Sequence, residues 1–320
     1  MNQYSVGVDI GGTNIDIGLI NNQYEIVDSV NIPTRAVKDA IDFAIKIRDP
    51  IIKLLQSNEC YSEQVNKIGI GVPGSVDIKS GTIEYANNLG LSNIPFVKIL
   101  QQIFPKDLSE KIVLDNDANA AALGEYIVGK YHVECFIMIT IGTGIGGGII
   151  INGKLLHGIN GAAGEFGHMV IDIHGDKCNC GRRGCFENYA SAAALGNQMR
   201  KAIINEGNNF EIRNLDTIDA KAVIDGVLKG DDLSKKVFNQ YLNYLAEGLA
   251  NIINIFQPDV IVLSGRIMQS SSLFLDHLKN LVRDRIYSKK SIKNTVIKCS
   301  NTIADASQIG MIGAACIGMM

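Results

Sequence analysis

The 320-residue sequence predicts an α/β protein built as two halves with a cleft between them. Three observations carry this expectation. A buried strand that enters a glycine turn and leaves it as a second strand occurs twice, YSVGVDIGGTNIDIGLI at 4–20 and CFIMITIGTGIGGGIII at 135–151. Strand-like apolar runs alternate with segments of helical period along the rest of the chain. No low-complexity linker or charge run interrupts it. The repeat is weak, but a strand–turn–strand unit used twice is the signature of a duplicated α/β half.

The elements follow in order. YSVGVDI (4–10) reads as a buried strand, and 15–20 and 23–32 complete a three-strand antiparallel start. Residues 37–57 carry apolar positions at helical spacing, with Pro50 expected to kink or split the helix. KIGIGVPG (67–74) is a strand ending in a turn, followed by a short helix near 96–103 and the strand KIVLD (111–115). The second half opens on a strand at 134–142 and a hairpin at 146–158. Helices are expected at 187–206, 217–229 and 231–256, then the strand PDVIVLSG (258–265), a helix at 270–287, a strand at 295–300 and a last helix at 306–318. This order predicts a small domain of 1–116 plus 301–320, and a large domain of 117–300.

Composition narrows the function. Lys+Arg 30 against Asp+Glu 33 leaves a net charge of −3, which offers no footprint for nucleic acid or an anionic membrane. No apolar run is long enough to span a bilayer, and MNQYSVGVDIGG lacks the basic and apolar regions of a signal peptide. A cytoplasmic location is the expectation. There the seven cysteines point to metal or core packing rather than disulfides. Cys60, Cys135, Cys299 and Cys316 sit in apolar or isolated contexts and read as core thiols. Cys178, Cys180 and Cys185 are clustered, and with His168 they supply the four donors of a closed tetrahedral zinc site. Gly181 and Gly184 allow the tight turns, and Arg182 and Arg183 favour thiolate. By spacing alone, His174 competes with His168 as the fourth ligand. No position is left open for water, so the zinc is structural.

The glycine turns are neither a Walker loop nor a dinucleotide fingerprint. No Gly-Lys-Ser/Thr follows either turn, and 142–147 leads into a strand rather than a helix. They suit a different phosphate site. In DIGGTN, Asp9 can hold a metal ion through water, Gly11 and Gly12 admit phosphate close to the backbone, and Thr13 and Asn14 offer hydrogen bonds. The turn with Thr143 can clamp the other side. In LDNDANAAALGE, Asp115, Asn116, Asp117 and Asn119 cluster where a strand gives way to a helix. One of them explains a helix cap; four suggest a polar ligand.

Taken together and in order, DIGGTN, NDANAAALGE, GTGIGGG, GAAGEFGH and CNCGRRGCFE resemble the bacterial ROK family (repressors, ORFs and sugar kinases). The resemblance runs from Asp9 to the terminal IGAAC segment. It implies the two-domain actin/hexokinase-like, ribonuclease H-like fold, and an ATP-dependent kinase acting on the 6-hydroxyl of a hexose. It also implies roles: Asp117 as catalytic base, and Asn116, Glu165, His168 and Glu187 as sugar ligands. Asp9 becomes the metal-water ligand; residues 11–14, Gly142, Thr143 and Gly144 become phosphate loops, and Gly265 lies on the nucleotide side. His168 is then both zinc ligand and pocket wall, and the zinc loop aims it and Glu187 at the sugar. ATP, Mg2+ and structural Zn2+ are the implied cofactors, a hexose and ATP the small-molecule partners, and a homodimer the implied assembly.

The sequence departs from that pattern at LSGRI (263–267), where Arg266 replaces a usual glycine near the adenosine. Trp is absent, so any sugar stacking falls to Tyr or Phe. A sugar-responsive repressor of the same family would need a DNA-binding winged helix ahead of a phosphate turn that here begins at Asp9, and a non-catalytic sensor is the remaining rival. Glucose is the first expected substrate. N-acetylmannosamine and N-acetylglucosamine follow, then fructose, allose or a glucoside.

Overall fold

The computed structural model describes residues 3–34, 39–86, 89–205, 215, 217–300 and 306–317. The chain forms two compact units. The first comprises Met1–Glu134, Gly148–Gly164 and Thr302–Met320, and the second Cys135–Gly147 and Glu165–Asn301.

Unit one opens with the meander β1 (Tyr4–Ile10), β2 (Asn14–Asn21) and β3 (Ile26–Pro33), paired antiparallel with Val8 opposite Ile17. Helix α1 (Ala40–Ser57) starts on Asp39, whose carboxylate accepts the Ile41 and Asp42 N–H groups. Pro50 lies inside α1 without splitting it. Phe43, Ala44, Ile47, Ile51, Leu54 and Leu55 bury one continuous face, which outweighs the single lost backbone bond. Strand β4 (Val65–Val72) then runs parallel to β1.

A second small sheet, β5 (Ser75–Asp77), β6 (Thr82–Ala86) and β7 (Leu91–Ile94), has no counterpart in the sequence reading, because strands this short carry too few periods to be seen. Helices α2 (Phe96–Ile103) and α3 (Lys106–Ser109) precede β8 (Ile112–Asn116), parallel to β4, and helix α4 (Asp117–Val128). The core packs Val6, Val8, Ile68 and Ile70 of the sheet with Phe43 and Phe96, whose rings stack at 5.4 Å.

The chain continues through β9 (Cys135–Ile141), β10 (Ile145–Ile151) and β11 (Lys154–Leu155), then α5 (Glu187–Ala190), α6 (Ala192–Asn205), α7 (Ala220–Leu228) and α8 (Asp232–Phe256). The expected helix at 187–206 is broken because Ser191 is extended and its hydroxyl accepts the Ala194 N–H, capping α6. After β12 (Val260–Ser264), the expected 270–287 helix is preceded by a 3-10 run, Arg266–Leu273, kinked at Ser270; α9 (Leu275–Arg285) follows. Last come α10 (Ser291–Asn294), β13 (Val296–Cys299) and α11 (Ala306–Cys316). The two large sheets share one pattern, β3-β2-β1-β4-β8 and β11-β10-β9-β12-β13, with β10 crossing from one unit into the other.

The expected boundary at 116/117 falls inside unit one. Helix α4 stays there because it packs on α11 at backbone distance. A Cβ on Gly124 would collide with the Ile309 carbonyl oxygen, and one on Gly7 of β1 with that of Met311. Residues 148–164 return to the same unit, β10 pairing with β11 through Ile150 and Leu155.

Candidate active site

Unit one gathers the aspartates. The GGTN turn is closed by Gly11 N–H donating to the Asn14 carbonyl (2.9 Å), and Thr34 Oγ donates to the Gly11 carbonyl at 2.8 Å. Gly12, Thr13 and Asn14 are exposed. Gly12 has ordinary φ, and a Cβ there would meet nothing within 4 Å, so the fold itself does not require glycine. Asp9 sits one residue before the end of β1, with its carboxyl pushed up to about 8, by burial first and then by the charges of Asp117 and Asp16. Such a set of carboxylates suits a hard divalent cation, which would relieve the repulsion.

Strand β8 delivers Asp115 and Asn116, and Asp117 is the first residue of α4. Asn116 caps the helix: its Oδ1 accepts from Ala118 N–H (2.8 Å) and Asn119 N–H (3.2 Å), while its Nδ2 donates to the Gly74 carbonyl (2.9 Å). Asp117 is half-buried and its Oδ1 accepts the Ala118 N–H at 2.8 Å. Asp115 is buried and fully engaged. Its Oδ1 accepts from Asn116 N–H (2.7 Å) and Asn119 Nδ2 (2.9 Å), and its Oδ2 lies 2.7 Å from His157 Nε2.

Unit two gathers the other expected residues. In its glycine turn Gly142 N–H donates to the Gly144 carbonyl (3.0 Å), and the Gly142 carbonyl accepts from Ala192 N–H (2.9 Å). Gly142 also has open space where a Cβ would go, and Thr143 is exposed. A Cβ on Gly144 would lie 2.7 Å from Glu187 Oε2, so Glu187 reaches this turn. Gly265 is different: its φ of 130° and its close approach to the Ile141 carbonyl make glycine a requirement of the fold. Arg266 beside it is exposed.

The cysteine loop forms a compact donor cluster. Cys178 Sγ lies 3.8 Å from His168 Nδ1, Cys180 Sγ lies 3.6 Å from Cys185 Sγ, and all four donor atoms fall within 4.8 Å of one another. Zn–S and Zn–N bonds in a tetrahedron set such edges at about 3.5–3.8 Å, so the donor set fits zinc. Gly181 and Gly184 both take positive φ, 91° and 72°, to turn the loop. Burial pushes the Cys178 thiol up to about 12 and raises Cys185, while the Arg182 backbone N–H lowers Cys180. A bound cation is what would hold buried thiols as thiolates.

His174 is exposed and outside the cluster, its backbone N–H donating to Asp172 Oδ1 at 3.0 Å. Glu187 Oε1 is 3.2 Å from Cys178 Sγ and 3.6 Å from His168 Nδ1. Glu165 is exposed as a residue, yet desolvation raises its carboxyl, with Glu187 adding and His168 opposing. Glu165 and Glu187 thus sit with His168 at the edge of the cluster. Cys60, Cys299 and Cys316 are buried and Cys135 half-buried, all away from it.

Two site neighbours, Asp16 and His157, escaped the sequence reading. No spacing rule links His157 to Asp115, 42 residues earlier; only the β10–β11 return brings them together. Among the described residues no helix is long and apolar enough to cross a membrane.

The family profile described as ROK family matches residues 5–318. The chain is 33% identical over 282 residues to the glucokinase of Halalkalibacterium halodurans, covering 87% of this chain and 84% of that one. It is 32% identical over 285 residues to the xylose repressor of Caldicellulosiruptor bescii, covering 88% of this chain and 70% of that one. Among solved structures, a ROK family glucokinase from Streptomyces griseus in complex with glucose and AMPPNP matches with a TM-score of 0.78 and 30% identity, over 98% of both chains. The fold is of the actin/hexokinase-like, ribonuclease H-like type.

Proposed function

The chain belongs to the ROK family, and we propose that within it the protein is an ATP-dependent hexose kinase that phosphorylates the 6-hydroxyl of glucose. One observation carries the reading furthest. Gly12 and Gly142 each lie in the turn of a strand–turn–strand unit, neither needs to be glycine for the fold, and both leave open space at an exposed turn. That room is what a phosphate approaching backbone N–H groups requires. Gly11, Thr13 and Asn14 complete the first phosphate turn, Thr143 and Gly144 the second, and Gly265 shapes the nucleotide side through the backbone.

Asp117 is the general base. It is half-buried at the start of α4, whereas Asp115 is buried and consumed by three partners. Asp117 takes the proton of the sugar 6-hydroxyl, the sugar oxygen forms a bond to the γ-phosphorus, and the bond from that phosphorus to the β–γ bridging oxygen breaks. ADP leaves and the hexose 6-phosphate remains. Asn116, Glu165, His168 and Glu187 bind the sugar hydroxyls. Mg2+, held through water by Asp9, supplies charge neutralisation when bound.

His168, Cys178, Cys180 and Cys185 hold a structural zinc, with His168 using Nδ1 and keeping Nε2 for the sugar. With zinc bound, the loop would hold Glu187 and His168 on rigid backbone, which positional catalysis needs. The protein is read as cytoplasmic and as a homodimer that binds hexose and ATP, not nucleic acid or membrane.

The 32% identity to a xylose repressor favours a second reading, a sugar sensor without turnover. Hexose-dependent ADP release from Mg-ATP separates the two. The kinase reading expects it with the purified chain; a sensor binds sugar and releases none.

A further inference from the structure

The kinase reading leaves the half-buried His157–Asp115 pair without a task. We propose that His157 is a positioning residue for phosphoryl transfer, acting through Asp115 to fix the start of α4 and so the place of Asp117. The inference rests on the kinase reading. Asp115 is 1% exposed, and a carboxylate removed from water needs a full set of partners. Two of these, the Asn116 N–H and the Asn119 side chain, flank Asp117 in the first turn of the helix. The third is His157 Nε2 at 2.7 Å, and it alone comes from outside that turn. Asp115 therefore ties the base-bearing turn to the segment returning from β11, and His157 is the tie.

The segment is held a second time. Gly161, with φ of 82°, lies so close to β5 that a Cβ there would collide with the Val76 carbonyl oxygen. A rigid strand end on one side and a clamped segment on the other leave His157 as the joint between them. Its side chain is 33% exposed and lines a cavity of about 540 Å3, whose other charged lining groups are Asp115, Lys79, Lys98 and Lys154. The imidazole can therefore exchange protons with solvent. The Asp115 hydrogen bond raises its proton affinity, burial opposes this, and the Asp115 charge adds to the rise. Imidazolium makes the stronger, charge-assisted bond to the carboxylate, and its loss at high pH loosens the tie.

The test is the pH dependence of kcat and KM for glucose and Mg-ATP in the wild type, His157→Gln and His157→Ala. Gln keeps an N–H donor without the charge. We expect kcat to fall roughly 10-fold in the Gln variant and roughly 100-fold in the Ala variant, the scale of a small misplacement of a reacting group. Both KM values should stay within about 2-fold, since ground-state binding is untouched. The alkaline fall in wild-type kcat should flatten in His157→Gln.

With only five histidines in the chain, the His157 imidazole is also followed directly by NMR in the wild type. Its titration should coincide with the alkaline fall in kcat. Unchanged kcat in both variants, a fall in kcat matched by a rise in KM, or a His157 titration that leaves kcat flat overturns the inference. The NMR comparison decides alone if the variants do not fold. A wild type that releases no ADP with any hexose rejects the kinase reading itself, whereas an active enzyme indifferent to His157 rejects only this step.

Discussion

Asp115 and Asp117 are two residues apart, yet the fold buries the first and leaves the second half-exposed at the start of α4, and Asp117 is proposed as the base on that difference. Asp117→Asn keeps the shape of the side chain and removes its basicity. It should lower kcat by about 10²- to 10⁴-fold while leaving glucose binding, measured by calorimetry, largely intact. A normally active Asp117→Asn variant would assign the base elsewhere. The glycines yield a sharper contrast. Gly12→Ala has room in the fold, so its unfolding midpoint should match the wild type while its KM for Mg-ATP rises about 10-fold or more. Equal KM values would remove Gly12 from the phosphate site.

His157 adds a pH signature to stability. Its folded-state proton affinity is raised, so its contribution is complete below about pH 6.5, the ordinary histidine value, and is lost as pH rises through the raised one. Urea unfolding should therefore separate wild type and His157→Gln more at about pH 5.5 than at about pH 9. A gap that widens with pH contradicts the ion pair. At this scale the cluster of Asp115, Asn116, Asp117 and Asn119 could be picked out in the sequence because it forms a dense polar motif. His157 could not, because its partner is set by the path of the chain rather than by spacing.

At the scale of elements, the cysteine loop and α11 show what sequence can and cannot reveal. The CNCGRRGC run displays its donors openly, and only the choice between His168 and His174 needed the fold. Cys180→Ser should abolish zinc measured by mass spectrometry of the metal content, and with it activity, because Glu187 lies 3.2 Å from Cys178 and loses its support. His174→Ala should change neither. Zinc retained by Cys180→Ser sinks the site as drawn.

Helix α11 was expected as a helix covering the first sheet, but its close packing on α4, a helix expected in the other domain, was not legible. Its small residues look unremarkable until the backbone of α4 comes within contact distance at Gly124. Gly7→Ala should cost at least about 2 kcal/mol by chemical denaturation, since its Cβ would strike the Met311 carbonyl. The β5–β7 sheet and the Ser191 break went unseen for a simpler reason: each is decided by one to five residues, too few to leave a period.

For the whole molecule, the duplicated strand–turn–strand unit was the most informative feature, and it corresponds to one sheet order used twice. The same order explains why the two glycine turns, at 11–14 and 142–144, both follow the first strand of a sheet. The division of the chain was less legible, because 117–134 and 148–164 belong with residues far away in sequence. We propose that the C-terminal segment is integral to unit one. Truncation after Asn301 should then give insoluble protein, the sheet face under Met311, Ala314 and Ala315 being laid bare; a soluble, active truncation would contradict this. The central claim, that the protein transfers phosphate from ATP to a hexose, is tested most directly by kcat/KM for glucose, N-acetylmannosamine, N-acetylglucosamine, fructose and allose with Mg-ATP. Glucose should lead by about tenfold or more, equivalent to ~1.4 kcal/mol in transition-state binding; a lead by another sugar would transfer the specificity to it, and ADP release that no sugar raises above the sugar-free rate would contradict the account.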